Sequence, residues 1–185
     1  MDEKTRTSIS KFLSFVLRHR PDAAAVTLDQ GGWVDVELLL RGCADNGHRI
    51  SRDELAEVVA TNPKQRFAFS DDGRRIRANQ GHSTDVELGY EPAEPPDALF
   101  HGTVARSLPS IREKGLQRMD RHHVHLSGDA STARAVGARR GKAVVLRIDA
   151  QGMRAAGHTF YRTPNGVWLT DEVPSTFIAG IDADA

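Results

Sequence analysis

Along the first eighty positions the apolar residues recur with helical spacing and then switch to alternation. Ile9, Phe12, Leu13, Val16 and Leu17 fall at i, i+3, i+4, i+7 and i+8, the stripe of an amphipathic helix, which predicts a helix over about residues 5–19. Pro21 ends it, because the residue before a proline avoids the α region. Beyond the Gly31-Gly32 turn, Asp35 is placed to cap a second helix carrying Val36, Leu39, Leu40 and Cys43, closed near Gly47. Ser51-Arg52-Asp53-Glu54 has the form of a capping box and predicts a third helix through Leu55, Val58 and Val59, stopped at Asn62-Pro63. Arg66-Phe67-Ala68-Phe69 then alternates, Asp71-Asp72-Gly73 turns and Ile76-Arg77-Ala78 returns, so a hairpin is expected.

Three helices followed by a hairpin is the layout of a winged helix, and residues 1–82 are expected to form that lobe. Residues 83–98 hold Pro92, Pro95 and Pro96 with five acids and no base, which reads as an exposed linker. From 99 to 185 short β-prone runs dominate: Ala98–His101, Val124–Ser127, Ala143–Ile148 and Val167–Thr170. Helices are expected at Ser107–Lys114, with Gly115 just past the end, and at Asp129–Arg139. The strand–helix alternation is too short for a parallel doubly wound sheet, so the fold class is α+β.

Composition narrows the function classes. At 185 residues with 39 % hydrophobic and 27 % charged content, the chain is a globular protein of one ordinary domain or two small ones. No run approaches the roughly 18–20 apolar residues that span a bilayer, and the N-terminus lacks a secretory pattern; a cytoplasmic location is expected. The single cysteine, Cys43, excludes an intramolecular disulfide and reads as a small core residue. Net charge is zero, yet 20 of the 25 basic residues are arginine, whose planar fork suits phosphate.

Candidate chemistry lies outside the common nucleotide motifs. Neither a P-loop nor a G-x-G-x-x-G turn is present. His122, His123 and His125 have no cysteine nearby, and no metal site is expected. Arg18 and His19 project from adjacent positions where the first helix stops, and cations there also complement the helix dipole. Alternation that turns Phe67 and Phe69 to the core turns Arg66 the other way. Phe100-His101-Gly102-Thr103 ends an apolar strand in a glycine that tolerates a close approach to the backbone. With Val124 and Leu126 on one face of a strand, His123, His125 and Ser127 line the other.

Taken together, Leu-Arg-His-x-Pro at 17–21, Gly-Trp-Val at 32–34, Lys-x-Arg-Phe at 64–67, Ile-Arg-Ala-x-Gln-Gly-His-Ser at 76–83, His-Gly-Thr at 101–103, Met-x-Arg-x-His-Val-His-Leu-Ser at 119–127 and Asn-Gly-Val-Trp-Leu-Thr at 165–170 resemble the RNA 2′-phosphotransferases of the Tpt1/KptA family. The resemblance runs from about residue 5 to 180. It implies an N-terminal winged-helix-like lobe and a C-terminal lobe similar to ADP-ribosyltransferases, with a split, antiparallel-rich sheet. It implies NAD⁺ as co-substrate, no metal, and a substrate RNA carrying a 2′-phosphate, with tRNA one such RNA. A catalytic Arg-His-Arg-Arg set maps onto Arg18, His19, Arg66 and Arg121, and a reaction site in the cleft between the lobes follows. His101, Gly102, Thr103, His125 and Ser127 resemble the family's NAD⁺ pocket, with Ser110, Gly115 and Leu116 on the adenosine side and Arg139 towards the pyrophosphate. Nothing demands more than a monomer.

Two rival readings remain on the sequence. A winged-helix nucleic-acid-binding regulator would need a basic recognition helix, whereas residues 51–61 carry Asp53, Glu54 and Glu57 against Arg52 alone. ADP-ribosylation of a nucleic-acid terminal phosphate, or of protein, keeps the scaffold and changes the acceptor. Many ADP-ribosyltransferases use a glutamate on a late strand. Residues 160–170 contain none, and an acceptor phosphate that is already nucleophilic needs none.

Overall fold

A computed structural model describes residues 1–182, which divide into two units, Met1–Gly89 and Tyr90 onward. In the first unit α1 (Glu3–Arg18) starts at Asp2, whose carboxylate accepts from Thr5 N, and buries Ile9, Leu13, Val16 and Leu17. Pro21 opens a single 3₁₀ turn, Pro21–Ala24. The short β1 (Val34–Asp35) leads directly into α2 (Val36–Asp45), capped by Asp35 through Leu38 N. The capping box forms as the sequence requires: the Ser51 hydroxyl accepts from Glu54 N while the Glu54 carboxylate accepts from Ser51 N, opening α3 (Arg52–Thr61). The hairpin consists of β2 (Phe67–Phe69) and β3 (Arg75–Ala78), and β1 adds to its other side, giving the antiparallel order β1-β3-β2. Leu13, Leu17, Leu39, Leu55, Phe67 and Ile76 fill the core. Cys43 is fully buried in it, and burial pushes its thiol up to about 11, so it is an inert packing residue.

The second unit is strand-rich. Its elements are β4 (Ala98–Val104), α4 (Leu108–Lys114), β5 (Leu116–Gln117), β6 (Val124–Leu126), α5 (Ala130–Gly137), β7 (Ala143–Asp149), α6 (Ala150–Ala155), β8 (Tyr161–Arg162), β9 (Trp168–Thr170), β10 (Glu172–Val173) and β11 (Ile178–Asp182). All pairings are antiparallel, in the orders β11-β7-β4, β6-β9-β8 and β10-β5. Phe100 and Ser127 exchange backbone hydrogen bonds of 2.9 and 2.7 Å, which stitches the β4 sheet to β6. β7 is buried except at Arg147 and Asp149, and Leu99, Leu146, Ile148, Leu126, Met153 and Phe160 form the core. The mixed composition of small antiparallel sheets and separate helices is an α+β architecture.

Residues 83–98, whose prolines and acids suggest an exposed linker, are mostly exposed and divide at Gly89 between the two units. Residues up to Gly89 belong to the first unit: Val86 is buried, Glu87 N donates to Gln30 O at 2.6 Å, and Ser83 N donates to Arg18 O. From Tyr90 the chain belongs to the second: Ala93 N donates to Phe160 O, Gln151 to Pro95 O, and Glu94 pairs with Arg154 at 2.9 Å. The apolar Val86, Leu88 and Ala93 interleaved with the acids supply surface worth burying, which a count of charges and prolines passes over. The expected helix Asp129–Arg139 is shorter as well. Asp129 caps it, and Ala138–Arg140 tightens into a 3₁₀ turn ended by Gly141.

Candidate functional site

In the first unit the fold gathers Arg18 and Arg66 into one groove of about 560 Å³. Arg18 is the last residue of α1, and Arg66 precedes β2. Asn62, in the turn between α3 and β2, ties Arg66 to α1 through Ser10. It is buried, its Nδ2 donates to Ser10 Oγ at 2.9 Å, and its Oδ1 accepts from Lys64 N at 3.1 Å and from Arg66 Nη1 at 3.5 Å. Gln65 sits at φ +41, a left-handed conformation that a β-carbon disfavours. Asn79 compensates, donating from its side chain to Gln65 O at 2.6 Å and from its backbone to Arg66 O at 2.8 Å. The guanidinium of Arg66 is therefore aimed by a turn fixed from both sides.

His19 is the C-cap of α1: its N–H donates to Phe15 O, and its Nδ1 lies 2.9 Å from Ser83 Oγ. Ser83 N and Thr84 Oγ1 both donate to Arg18 O, so the segment after β3 closes over the helix end and sets the imidazole's direction. The ring itself is exposed. Asn62, Asn79 and Ser83 were not singled out from the sequence; the signal available was only that Ser83 ends the Gln-Gly-His-Ser motif.

In the second unit the stitch at Phe100–Ser127 brings four of the expected residues together. His101 Nδ1 donates to His125 O at 3.1 Å, and Arg121 Nη1 donates to His125 Nδ1 at 3.3 Å. Ser127 lies across from Phe100, next to His101. A guanidinium can only donate, so His125 Nδ1 is the acceptor in this contact. Arg121 stands in a tight loop where Met119 adopts φ +53 and Arg121 N donates to Arg118 O. Partial desolvation, and then the charge of Arg140, hold the Arg121 guanidinium below its ordinary value. Arg140 was not a candidate from the sequence, yet its charge acts on both Arg121 and His101.

The other candidates are placed differently. Thr103 is buried in β4. A β-carbon at Gly102 would lie 1.7 Å from Ala133 O, so the close approach that this glycine permits is made by the backbone of α5. Gly115 takes φ +72 to end α4, and Leu116 is buried opposite Val173 in the β5–β10 pair. Ser110 and Arg139 are exposed, on α4 and the Ala138–Arg140 turn. Among the described residues no three His, Cys, Asp or Glu side chains are grouped to hold a metal ion.

The histidines carry a pH dependence. Burial lowers His101 below its ordinary 6.5, Arg140 adds to this, and the hydrogen bond to His125 O opposes it. Burial also lowers His123, partly offset by Asp171. The unfolded chain would bind protons near 6.5 and the folded one below it, so this stability is full above about pH 6.5 and is lost as pH falls through the depressed values. The expected result is a thermal midpoint that drops between about pH 7.5 and pH 5, less steeply in His123→Gln; an identical profile in that variant would remove His123 from the account.

The sequence profile of the RNA 2′-phosphotransferase, Tpt1/KptA family matches residues 4–172. A Pseudomonas fluorescens protein named Probable RNA 2′-phosphotransferase is 54 % identical over 182 residues, covering 98 % of this chain and 100 % of its own length. A Nostoc punctiforme protein of the same name is 52 % identical over 181 residues, covering 98 % and 100 %. One from Streptomyces griseus is 52 % identical over 185 residues, covering 96 % and 98 %. Matched along nearly its whole length both by the profile and by relatives of its own size, the chain belongs to the Tpt1/KptA family of RNA 2′-phosphotransferases.

Proposed function

We propose that this transferase moves an internal RNA 2′-monophosphate to NAD⁺, releasing RNA with a free 2′-hydroxyl, ADP-ribose 1″,2″-cyclic phosphate and nicotinamide. The observation that carries the reading is that Arg18 and Arg66, far apart in sequence, line one groove, with Arg66 held from its turn by the buried Asn62 and Asn79. A 2′-phosphomonoester is a dianion, and converging guanidinium forks are the strongest neutral-pH answer to it.

The chemistry divides into two displacements. A 2′-phosphate oxygen attacks the ribose carbon bearing nicotinamide; the carbon–nitrogen bond breaks and nicotinamide leaves with its electron pair. The neighbouring ribose 2″-hydroxyl then attacks phosphorus, losing its proton to solvent, and the bond from phosphorus to the RNA 2′-oxygen breaks. Arg18, Arg66 and Arg121 hold the phosphate and spread the charge that builds on its oxygens. His19, oriented by Ser83, gives a proton to the departing RNA oxygen. The residues of the second unit suit a dinucleotide: His101 is held neutral with Nδ1 already donating, leaving Nε2 an acceptor, and Arg139 and Arg140 offer cationic forks for a pyrophosphate. We read the first unit as winged-helix-like and the second as ADP-ribosyltransferase-like, acting as a cytoplasmic monomer on an RNA such as tRNA.

Incubation with NAD⁺ and a short 2′-phosphorylated oligonucleotide tests this. Both nicotinamide and dephosphorylated RNA are expected; absence of both overturns the reading. His19→Ala should slow the second displacement by about a hundredfold or more, so an RNA–ADP-ribose adduct should accumulate. Slow loss of substrate with no adduct would assign His19 to the first displacement instead.

A further inference from the structure

We infer that the groove on the first unit also holds the RNA strand flanking the reacting nucleotide, with Arg6, Lys11 and Ser14 binding its backbone. The inference rests on the proposed function for the end of the groove at Arg18 and Arg66, and extends it along α1.

The groove follows the helix. Thr7, Ser10, Ser14 and Arg18 recur every three or four residues and so share one face of α1, with Arg6 and Lys11 flanking them. The opposite wall is Thr61, Asn62 and Arg66. From Arg6 to Arg18 the helix rises about 18 Å at 1.5 Å per residue, long enough for a few nucleotides of single strand. Four cations line it, Arg6, Lys11, Arg18 and Arg66, against Glu3. Glu57 engages Arg6 at 3.6 Å, with both side chains about a third exposed, a weak pair that a phosphate can displace.

Ser14 points to the ligand's chemistry. Its hydroxyl is buried and has no hydrogen-bond partner among the described residues. A serine inside a helix ordinarily bonds back to the carbonyl four residues earlier or faces water. A buried hydroxyl left over on the lining of a cationic groove is a donor waiting for an anionic acceptor. No aromatic side chain lines the groove among the described residues, so bases have nothing to stack on, and recognition falls on sugar and phosphate. The surface should therefore respond to strand length and salt and be indifferent to base sequence.

Fluorescence anisotropy with the full chain and 2′-phosphorylated single strands of two and about eight nucleotides tests this. The wild type should prefer the longer strand by about tenfold or more. The double variant Arg6→Ala/Lys11→Ala should lose most of that preference, and its log-affinity against log-salt slope should be shallower by about 1.4, from two contacts at about 0.7 each. Ser14→Ala should weaken the longer strand severalfold, and changing the flanking bases should shift affinity by less than about twofold. Arg6→Lys, which keeps the charge, should restore much of the preference and so separates loss of contact from loss of folding. Equal loss for both lengths, or an unchanged slope, overturns the groove. Length-dependent binding without turnover would retire the proposed reaction and leave the groove standing; turnover with length-independent binding would do the reverse.

Discussion

Arg66→Ala should lower kcat for removal of the 2′-phosphate by about a hundred- to a thousandfold, the usual cost of deleting one preorganised donor from a charge-building transition state. The substitution removes a guanidinium and leaves the turn that holds it intact, because Asn79 bonds to the backbone of Gln65 and Arg66 and not to the lost side chain. Binding of substrate should suffer less than turnover, since the proposed second displacement concentrates charge that the ground state does not carry. Arg66→Lys restores a point charge without the fork and should recover only part of the loss. Asn62→Ala should give a smaller fall in kcat, by letting Arg66 swing away from its 3.5 Å contact. Release of nicotinamide and loss of the 2′-phosphate, measured in parallel, read all three. An alanine variant within about threefold of wild type would take Arg66 out of the reaction.

Gly102→Ala should be among the most damaging single changes to the fold. The added carbon would meet Ala133 O at 1.7 Å and the α5 backbone again at Gly137 N, 2.8 Å away. Helix backbone cannot rotate aside as a side chain does, so α5 must lift from β4. Overpacking of this kind costs about 3 kcal/mol or more, which in a chain of this size lowers the thermal midpoint by roughly 6–12 °C. Melting followed by circular dichroism checks it. A variant that melts like the wild type but shows a raised KM for NAD⁺ would make Gly102 a ligand contact instead of a packing residue.

Much of this molecule is local in origin and was legible for that reason. The amphipathic stripe of α1, the Asp35 cap, the Ser51–Glu54 box and the Asp71-Asp72-Gly73 turn all act within a few residues, and each forms as read. What was not legible depends on partners distant in the chain. The strands β1, β5, β8 and β10 are two residues each and exist only because a remote strand pairs with them. β11 carries Gly180 and a register shift, yet it is fixed by β7. α6 contains Gly152, a weak helix residue, but the Asp149 carboxylate caps it and Met153 is buried beneath it. The candidate site divides in the same way. Motifs point to Arg18, His19 and Arg66, while the asparagines that hold Arg66 and the serine that holds His19 become visible only once the turns close. Arg140 was passed over because an arginine in a run of two gives no sign of which one acts on His101 and Arg121.

The closure of the segment 81–84 over the end of α1 also says where this chain can change length. Ser83 reaches back both to Arg18 O and to the His19 ring, so one residue added between Asn79 and Ser83 would turn the imidazole without altering any of the proposed site residues. Six residues further on, Gly89 is exposed at φ +63 with nothing within reach of an added β-carbon. Insertions should therefore collect at Gly89 and be excluded from the segment 81–84.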